Sequence, residues 1–317
     1  MPEGPEVRRT AIRLDAALAG QPIVQVTART KAARHWLAEH ETELVGKKIA
    51  KVRSHGKHLI GWIEGGYYFH SHFMMWGRWE TIATRKAPQP QPRERARIVT
   101  PKMTAMLTSA PVFEVGAGDP YQELENLASL GPDAIPYPED GPFNVREFNR
   151  RLRLTANRKR AIGVVLLDQR IVAGLGNYLR AEVLFDCRLD PWKTVSSLTR
   201  NELKCVDRAV ADISHRAWSS GGITVTDPLR KRMLEDPSLT YQPGSDYGSR
   251  HYVFRRTNLP CLHCGNPIRQ LRQITSRHDE GDRSRITYFC PECQSVDAGR
   301  LKKTKPLKSS PAKSRSS

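Results

Sequence analysis

The fold turns on Leu167-Asp168-Gln169-Arg170-Ile171-Val172-Ala173-Gly174-Leu175-Gly176-Asn177-Tyr178-Leu179-Arg180-Ala181-Glu182. A helix runs into Gly174-Leu175-Gly176-Asn177, and a second helix starts after it. The glycines let the turn approach another group closely, and Asn177 stands where it would cap the new helix. Free N–H groups at such a helix start suit a phosphate. Taken alone, the segment fits either a phosphate-binding turn or a simple helix stop.

Upstream, the chain is β-rich behind one leading helix. Residues 5–18 carry Val7, Ile12, Leu14, Ala17 and Leu18 with charges between them, a helical pattern ending near Gly20. Residues 23–26, 49–52, 57–62 and 67–70 read as strands, and 100–115 adds more. Residues 85–97, rich in proline and basic side chains, are expected to form an exposed loop. The prolines and glycines of 130–142 mark a linker. Beyond it the pattern turns helical: 144–152 with Asn144 as cap, 160–168, 178–185, and a long amphipathic helix over 198–218. Residues 221–248 are polar and turn-rich and are expected to be a mobile loop.

Charge is the strongest compositional signal. The 317 residues hold 51 Lys+Arg against 33 Asp+Glu, a formal charge of +18. Residues 298–317 contribute seven basic side chains and no acid, leaving +11 on the rest. Such a balance points to a polyanion partner, nucleic acid or an anionic membrane surface. No run approaches the length of a membrane span, and the start lacks the apolar stretch of a signal peptide, so a cytoplasmic location is expected.

Four of the six cysteines form two knuckles, Cys261-Leu262-His263-Cys264 and Cys290-Pro291-Glu292-Cys293, twenty-five residues apart. Two residues between cysteines let both thiolates face one ion, and two knuckles make a closed tetrahedron of the structural zinc type. With no open coordination position, such a zinc holds shape. The excess length between the knuckles is assigned to a longer hairpin tip over 275–284. Cys187 and Cys205 are expected to stand alone, in a pattern suggesting a metal site in a reducing compartment rather than a disulfide framework. Arg285 falls on a hairpin strand, where it either reaches phosphates or is a solvated surface arginine.

At the other end stands Met1-Pro2-Glu3-Gly4-Pro5-Glu6. Removal of Met1 would make Pro2 a free secondary amine. An α-amino group titrates near ~8, so a useful fraction is nucleophilic at neutral pH. Glu3 beside it is a candidate general acid/base. Lys57 follows a Ser54-His55-Gly56 turn and by itself reads as a surface lysine.

Together these residues resemble the formamidopyrimidine-DNA glycosylase and endonuclease VIII (Fpg/Nei) family. The resemblance runs from Pro2 to Gln294. It rests on the N-terminal Pro-Glu, the Ala-Gly-Leu-Gly-Asn-Tyr segment, and the four-cysteine finger with Arg285-Ile286-Thr287 before its third cysteine. The fold it implies is multidomain α and β. An N-terminal catalytic β-sandwich with a leading helix (1–131) is joined by a linker (132–142) to a helix–two-turn–helix domain (143–255). A zinc-finger hairpin (256–297) and a basic disordered tail (298–317) complete the chain.

The resemblance implies that Pro2 attacks C1′ of a damaged nucleotide, with Glu3 as general acid/base and Glu6 in the same catalytic segment. Lys57, Asn177 and Arg285 would contact backbone phosphates, and Glu182 would be a structurally important acid near the site. Cys261, Cys264, Cys290 and Cys293 would hold one structural zinc. Met74, Met75 and Trp76 lie where family members fill the gap left by a flipped base. An apolar wedge suits that role, and ordinary core packing of the strand is the competing reading.

The implied activity is a bifunctional DNA glycosylase/AP lyase of base excision repair, working on damaged double-stranded DNA through a proline Schiff base with β,δ-elimination. Oxidised pyrimidines are favoured as substrates, because Pro2-Glu3-Gly4-Pro5-Glu6 resembles the endonuclease VIII branch. A monomer without small-molecule cofactor, associated with the nucleoid, is expected. The alternatives are an 8-oxoguanine/formamidopyrimidine-specific glycosylase and a catalytically inert zinc-containing DNA-binding protein. Intact Pro2, Glu3 and Lys57 argue against the inert protein.

Overall fold

A computed structural model of the chain describes residues 2–242, 245–276, 283–297 and 299–300. The expected tail lies outside the described residues except for Gly299 and Arg300, as do positions 277–282 of the expected hairpin tip.

The leading helix α1 (Gly4–Leu18) starts with Pro5 in its first turn and Glu6 reaching back to the N-cap, and it buries Val7, Ala11, Leu14 and Leu18 along one stripe. It packs against a β-sandwich and also touches the long helix of the second half. The strands are β1 (Gln25–Ala28), β2 (Ile49–His55), β3 (His58–Ile63), β4 (Tyr67–His72), β5 (Arg78–Ala83), β6 (Glu94–Val99), β7 (Met103–Thr108) and β8 (Val112–Ala117). They form two antiparallel four-stranded sheets, β1-β6-β7-β5 and β2-β3-β4-β8. Alternate residues point inward, so Leu59, Phe69, Trp79, Leu107 and Phe113 meet in one core. The opposite face of the second sheet is also covered, by Leu127, Leu130 and Ala173 against Ile60.

Two features of this half depart from expectation. Helix α2 (Lys31–Leu44) was not anticipated, because its buried stripe is only Ala33, Leu37 and Leu44 among charged residues. The loop expected over 85–97 gives way to β6, which starts at Glu94. Arg97 is buried in a bidentate pair with Glu94, and a charged pair inside a strand hides the period-2 pattern.

After short helices α3 (Pro120–Glu123) and α4 (Glu125–Ala128), residues 130–135 are firmly tied. Gly131 donates to Gln169 O, Ala173 to Pro132 O, and Ala134 to Ala173 O. The second half contains α5 (Val145–Leu152), capped by Asn144 as expected, then α6 (Ile162–Val165), α7 (Asn177–Asp186), α8 (Arg200–Ser219) and α9 (Asp227–Glu235). Only α6 forms within the helical run expected over 160–168. α9 corrects the expectation of a loop across 221–248: Pro228 opens it and Met233 is fully buried. Strands β9 (Arg269–Ser276) and β10 (Arg283–Phe289) make the terminal antiparallel hairpin.

Cys187 and Cys205 do not stand alone. They form a disulfide with Cα atoms 5.6 Å apart. α7 ends at Asp186 beside α8, which brings the two cysteines within bridging reach although they lie 18 positions apart in the chain.

Candidate active site

Three distant segments converge at one point. Gly4 N–H donates to Gly174 O at 2.9 Å, which docks the chain start on the loop before α7. Gly174 has φ +104°, and Gly56, in the β2–β3 turn with φ +55°, lies so close that a Cβ on it would stand 2.6 Å from Gly174 N. Side chains are excluded from this junction, and backbones touch directly.

The approach delivers Glu3 to the start of α7. Its Oε2 accepts from Gly176 N–H at 2.7 Å and Leu179 N–H at 3.2 Å, and its Oε1 from Tyr178 N–H at 2.8 Å. These are orphan donors at a positive helix end, the natural seat of an anion. Glu3 is only 2 % exposed. Burial pushes its carboxyl up to about 7, against the opposing pull of Lys57 and the backbone donors. Lys57, also buried, is pushed down to about 8 by desolvation, with Glu3 opposing and Arg285 adding to the shift. Two groups of opposite type are thus poised near neutrality in one place, the condition for proton transfer at physiological pH.

Glu6 braces this arrangement. It accepts from Glu3 N–H at 2.9 Å, from Tyr178 Oη at 3.3 Å, and from Arg9 at 2.8 Å. Arg9 in turn donates to the carbonyls of Ala217 and Trp218, which fastens α1 to α8.

Pro2, Glu3, Lys57, Met75, Asn177 and Arg285 all line one open cleft of about 710 Å³. Arg9, Arg250, Arg255 and Arg272 also face it, so basic side chains outnumber Glu3 and Glu6. The cleft therefore favours a polyanion, with an acid buried at its floor. Met74, Met75 and Trp76 are 49 %, 57 % and 76 % exposed. An apolar triplet left in solvent, with Met75 lining the basic cleft, is the opposite of core packing.

The matches to known proteins agree with this architecture. Residues 1–109 match the formamidopyrimidine-DNA glycosylase N-terminal domain, and 130–228 match the formamidopyrimidine-DNA glycosylase H2TH domain. Endonuclease 8 of Pectobacterium atrosepticum is 31% identical over 295 residues, covering 93% of this chain and 100% of the relative. The chain belongs to the Fpg/Nei family. Its members are DNA glycosylases with AP lyase activity. Endonuclease 8 of Salmonella schwarzengrund is 30% identical over 294 residues. A Lactococcus lactis Fpg bound to DNA with an abasic site shares the fold, at TM-score 0.71 and 24% identity over 92% of this chain and 99% of that one.

In this Fpg/Nei chain the position of Gly176 has a measurable consequence. A Cβ there would lie 2.4 Å from the Glu3 carboxyl carbon. Gly176→Ala is expected to expel the carboxylate from its seat and lower single-turnover base excision by about 100-fold, the usual scale for an ångström-level misplacement. The protein should still fold, which its thermal melting would check.

Asn177 is the first residue of α7, and Gly176 occupies the cap position. The expected side-chain cap is therefore replaced: Asn177 Oδ1 accepts from Arg180 at 2.6 Å. Arg180, which sequence reasoning missed, is fully buried and also donates to Ile286 O, Gly163 O and Gln273 Oε1. It ties Asn177 to the strand that carries Arg285. Its signal was an arginine among Leu179, Ala181 and Val183, on a helix buried on nearly every side. Glu182 takes the donors of Thr224 Oγ1 at 2.6 Å and of Tyr252, Val253 and Phe254 N–H at 2.8–3.0 Å. It sets the chain leading to the hairpin, away from the cleft floor.

All four finger thiols lie within 4.8 Å of one another. Cys261 Sγ is 3.8 Å from Cys293 Sγ, and Cys264 Sγ is 3.5 Å from Cys290 Sγ. A tetrahedron with Zn–S bonds of about 2.3 Å has edges of about 3.8 Å. Backbone N–H groups of His263 and Cys293 point at Cys261 and Cys290 sulfur. The donor set fits one zinc.

Proposed function

We propose that this DNA glycosylase and AP lyase excises oxidised pyrimidines from duplex DNA, with Pro2 as nucleophile. The observation that carries the reading is the seating of Glu3 on α7 beside Pro2 and Lys57 in one basic cleft. Loss of Met1 frees the Pro2 amine. Its lone pair forms a bond to C1′ as the glycosidic bond breaks, and the departing base takes a proton from Glu3. The nitrogen then gives up its proton and the C1′–O4′ bond breaks, O4′ taking a proton to become a hydroxyl and leaving an iminium between Pro2 and C1′. Removal of a C2′ proton breaks the 3′ C–O bond, and a second elimination releases the 5′ phosphate. Water returns the amine.

Lys57 and Arg285 neutralise phosphates beside the lesion, Asn177 hydrogen-bonds to one, and Met74, Met75 and Trp76 replace the stacking lost when the nucleotide is extruded. We assign the chemistry to 1–131, the linker to 132–142, groove contacts to 143–255 and 256–297, and salt-dependent phosphate attraction to 298–317.

Support for a pyrimidine preference comes from the endonuclease 8 relatives near 30% identity and the Pro2-Glu3-Gly4-Pro5-Glu6 start. The test is single-turnover cleavage of duplexes carrying thymine glycol, dihydrouracil, 8-oxoguanine or an abasic site. Thymine glycol and dihydrouracil should be cut at least about 10-fold faster than 8-oxoguanine, a gap of about 1.4 kcal/mol. Equal or faster 8-oxoguanine cleavage overturns the preference.

Cys261, Cys264, Cys290 and Cys293 would hold one zinc, which supplies rigidity to the hairpin. Elemental analysis should find one zinc per chain, and Cys261→Ser should lose it together with hairpin order seen by hydrogen exchange. Zinc-free protein with a fully protected hairpin would refute the site.

A further inference from the structure

Four histidines occupy one face of the second sheet, opposite the sandwich core. His58 pairs with His72 across β3 and β4, and His70 pairs with Glu114 across β4 and β8. Phe69 on β4 points into the core, so His70 and His72 point the other way. His70 Nδ1 is 2.8 Å from Glu114 Oε2, and His58 Nδ1 is 2.9 Å from His70 Nε2. A carboxylate only accepts, so His70 carries its proton on Nδ1 and His58 must donate from Nδ1. The His72 ring lies edge-on to His58 at 4.7 Å between centroids. His55, paired with His58 at the turn, bonds instead to Tyr121 and Gly131 O.

His72 is the last residue of β4, and the exposed apolar triplet begins just beyond Phe73. Met74 has φ +51°, a left-handed conformation that costs a non-glycine residue about 1 kcal/mol and needs a local restraint. A hydrogen bond restrains it on one side: Met74 N–H donates to His72 Nδ1 at 3.1 Å. Gly77 N–H closes the other end of the turn on Phe73 O at 2.9 Å, and Phe73 anchors it in the core.

We propose that His72 is a positioning residue for base extrusion: by accepting the Met74 N–H it fixes the turn that holds Met75 and Trp76 ready to enter the duplex, and the His58–His70–Glu114 row holds its ring. This rests on the reading of Met74, Met75 and Trp76 as gap-filling residues. Burial pushes His72 down to about 4, with Lys57 and His70 adding, so Nδ1 keeps its lone pair at neutral pH. His58 is pushed down to about 2 by burial and by its neighbouring histidines.

A preorganised wedge matters only where a stack must be opened. The readout is therefore the ratio of single-turnover excision on a thymine glycol duplex to that on the same lesion in a single strand. His72→Phe keeps the ring but loses the acceptor, and should lower the ratio about tenfold. His72→Asn restores an acceptor and should recover most of it. Trp76→Ala tests the wedge itself. If Trp76→Ala lowers the ratio and His72→Phe does not, the role of His72 is overturned while the wedge stands. If a Met75→Ala/Trp76→Ala protein keeps the full ratio, the wedge reading falls and His72 with it. If His72→Phe loses both activities equally, the residue is merely structural and the proposal is wrong. Should His72→Phe fail to fold, His72→Ala against His72→Asn makes the same comparison.

Discussion

Glu3→Gln should lower base excision by about three orders of magnitude while cleavage at a preformed abasic site survives. The substitution keeps the shape of the side chain and removes its acid, and positioned acid–base groups contribute about 10²–10⁴-fold. At an abasic site no base has to leave, so the amine can still attack. The pH profile carries the sharper signature. Burial raises the Glu3 carboxyl to about 7, so the protonated form is lost as pH rises through that value. The Pro2 amine, near ~8, becomes nucleophilic as pH rises. Excision by the native enzyme should therefore climb to a plateau between these values and fall at higher pH. The residual activity of Glu3→Gln should climb without falling. Undiminished excision by Glu3→Gln, or an unchanged alkaline limb, would remove the role assigned to it.

Blocking the Pro2 nitrogen should abolish covalent chemistry altogether. A secondary amine forms an iminium that borohydride reduces to a stable protein–DNA adduct. A variant that retains Met1, leaving an amide at Pro2, should give no adduct. Pro2→Gly supplies a primary and less restrained amine, and should slow cleavage at least about 10-fold. Both variants should bind abasic duplex DNA normally, because the arginines of the cleft are intact. Undiminished trapping by the Met1-retaining protein would locate the nucleophile elsewhere. Failure of the native enzyme to trap would favour an inert DNA-binding protein.

Much of the site was legible because its residues sit in local patterns. The cysteine knuckles declare themselves by spacing, and the four thiols do converge. Gly174 and Gly176 announce a close approach: Gly174 docks Gly4 from a φ of +104°, and a Cβ on Gly176 would run into the Glu3 carboxyl. What the turn approaches was not legible. The motif alone fitted a phosphate-binding turn or a simple helix stop, and neither reading named the Glu3 carboxylate that the backbone N–H groups of Gly176, Tyr178 and Leu179 hold. Arg180 and the His58–His70–Glu114 row were hidden for a related reason. Apart from the Arg180–Asn177 bond within α7, their partners lie on other elements, so a local sequence pattern does not reveal them. The loop expectations at 85–97 and 221–248 held only outside β6 and α9, because proline and charge dominate the composition there. The Glu94–Arg97 pair and the buried Met233 override that signal.

The bond between Glu3 and α7 spans 173 residues, from the first turn of one half to a helix start in the other. It makes the proposed acid a shared property of two lobes. Glu3 owes its unusual proton affinity to being buried between them, not to the peptide that carries it. Any separation of residues 2–4 from 174–178 returns the carboxyl to water, where it ionises as an ordinary glutamate and can no longer supply a proton at neutral pH. If Glu3 supplies the proton as proposed, the junction is an interlock: the acid exists only while residues 2–4 rest on 174–178.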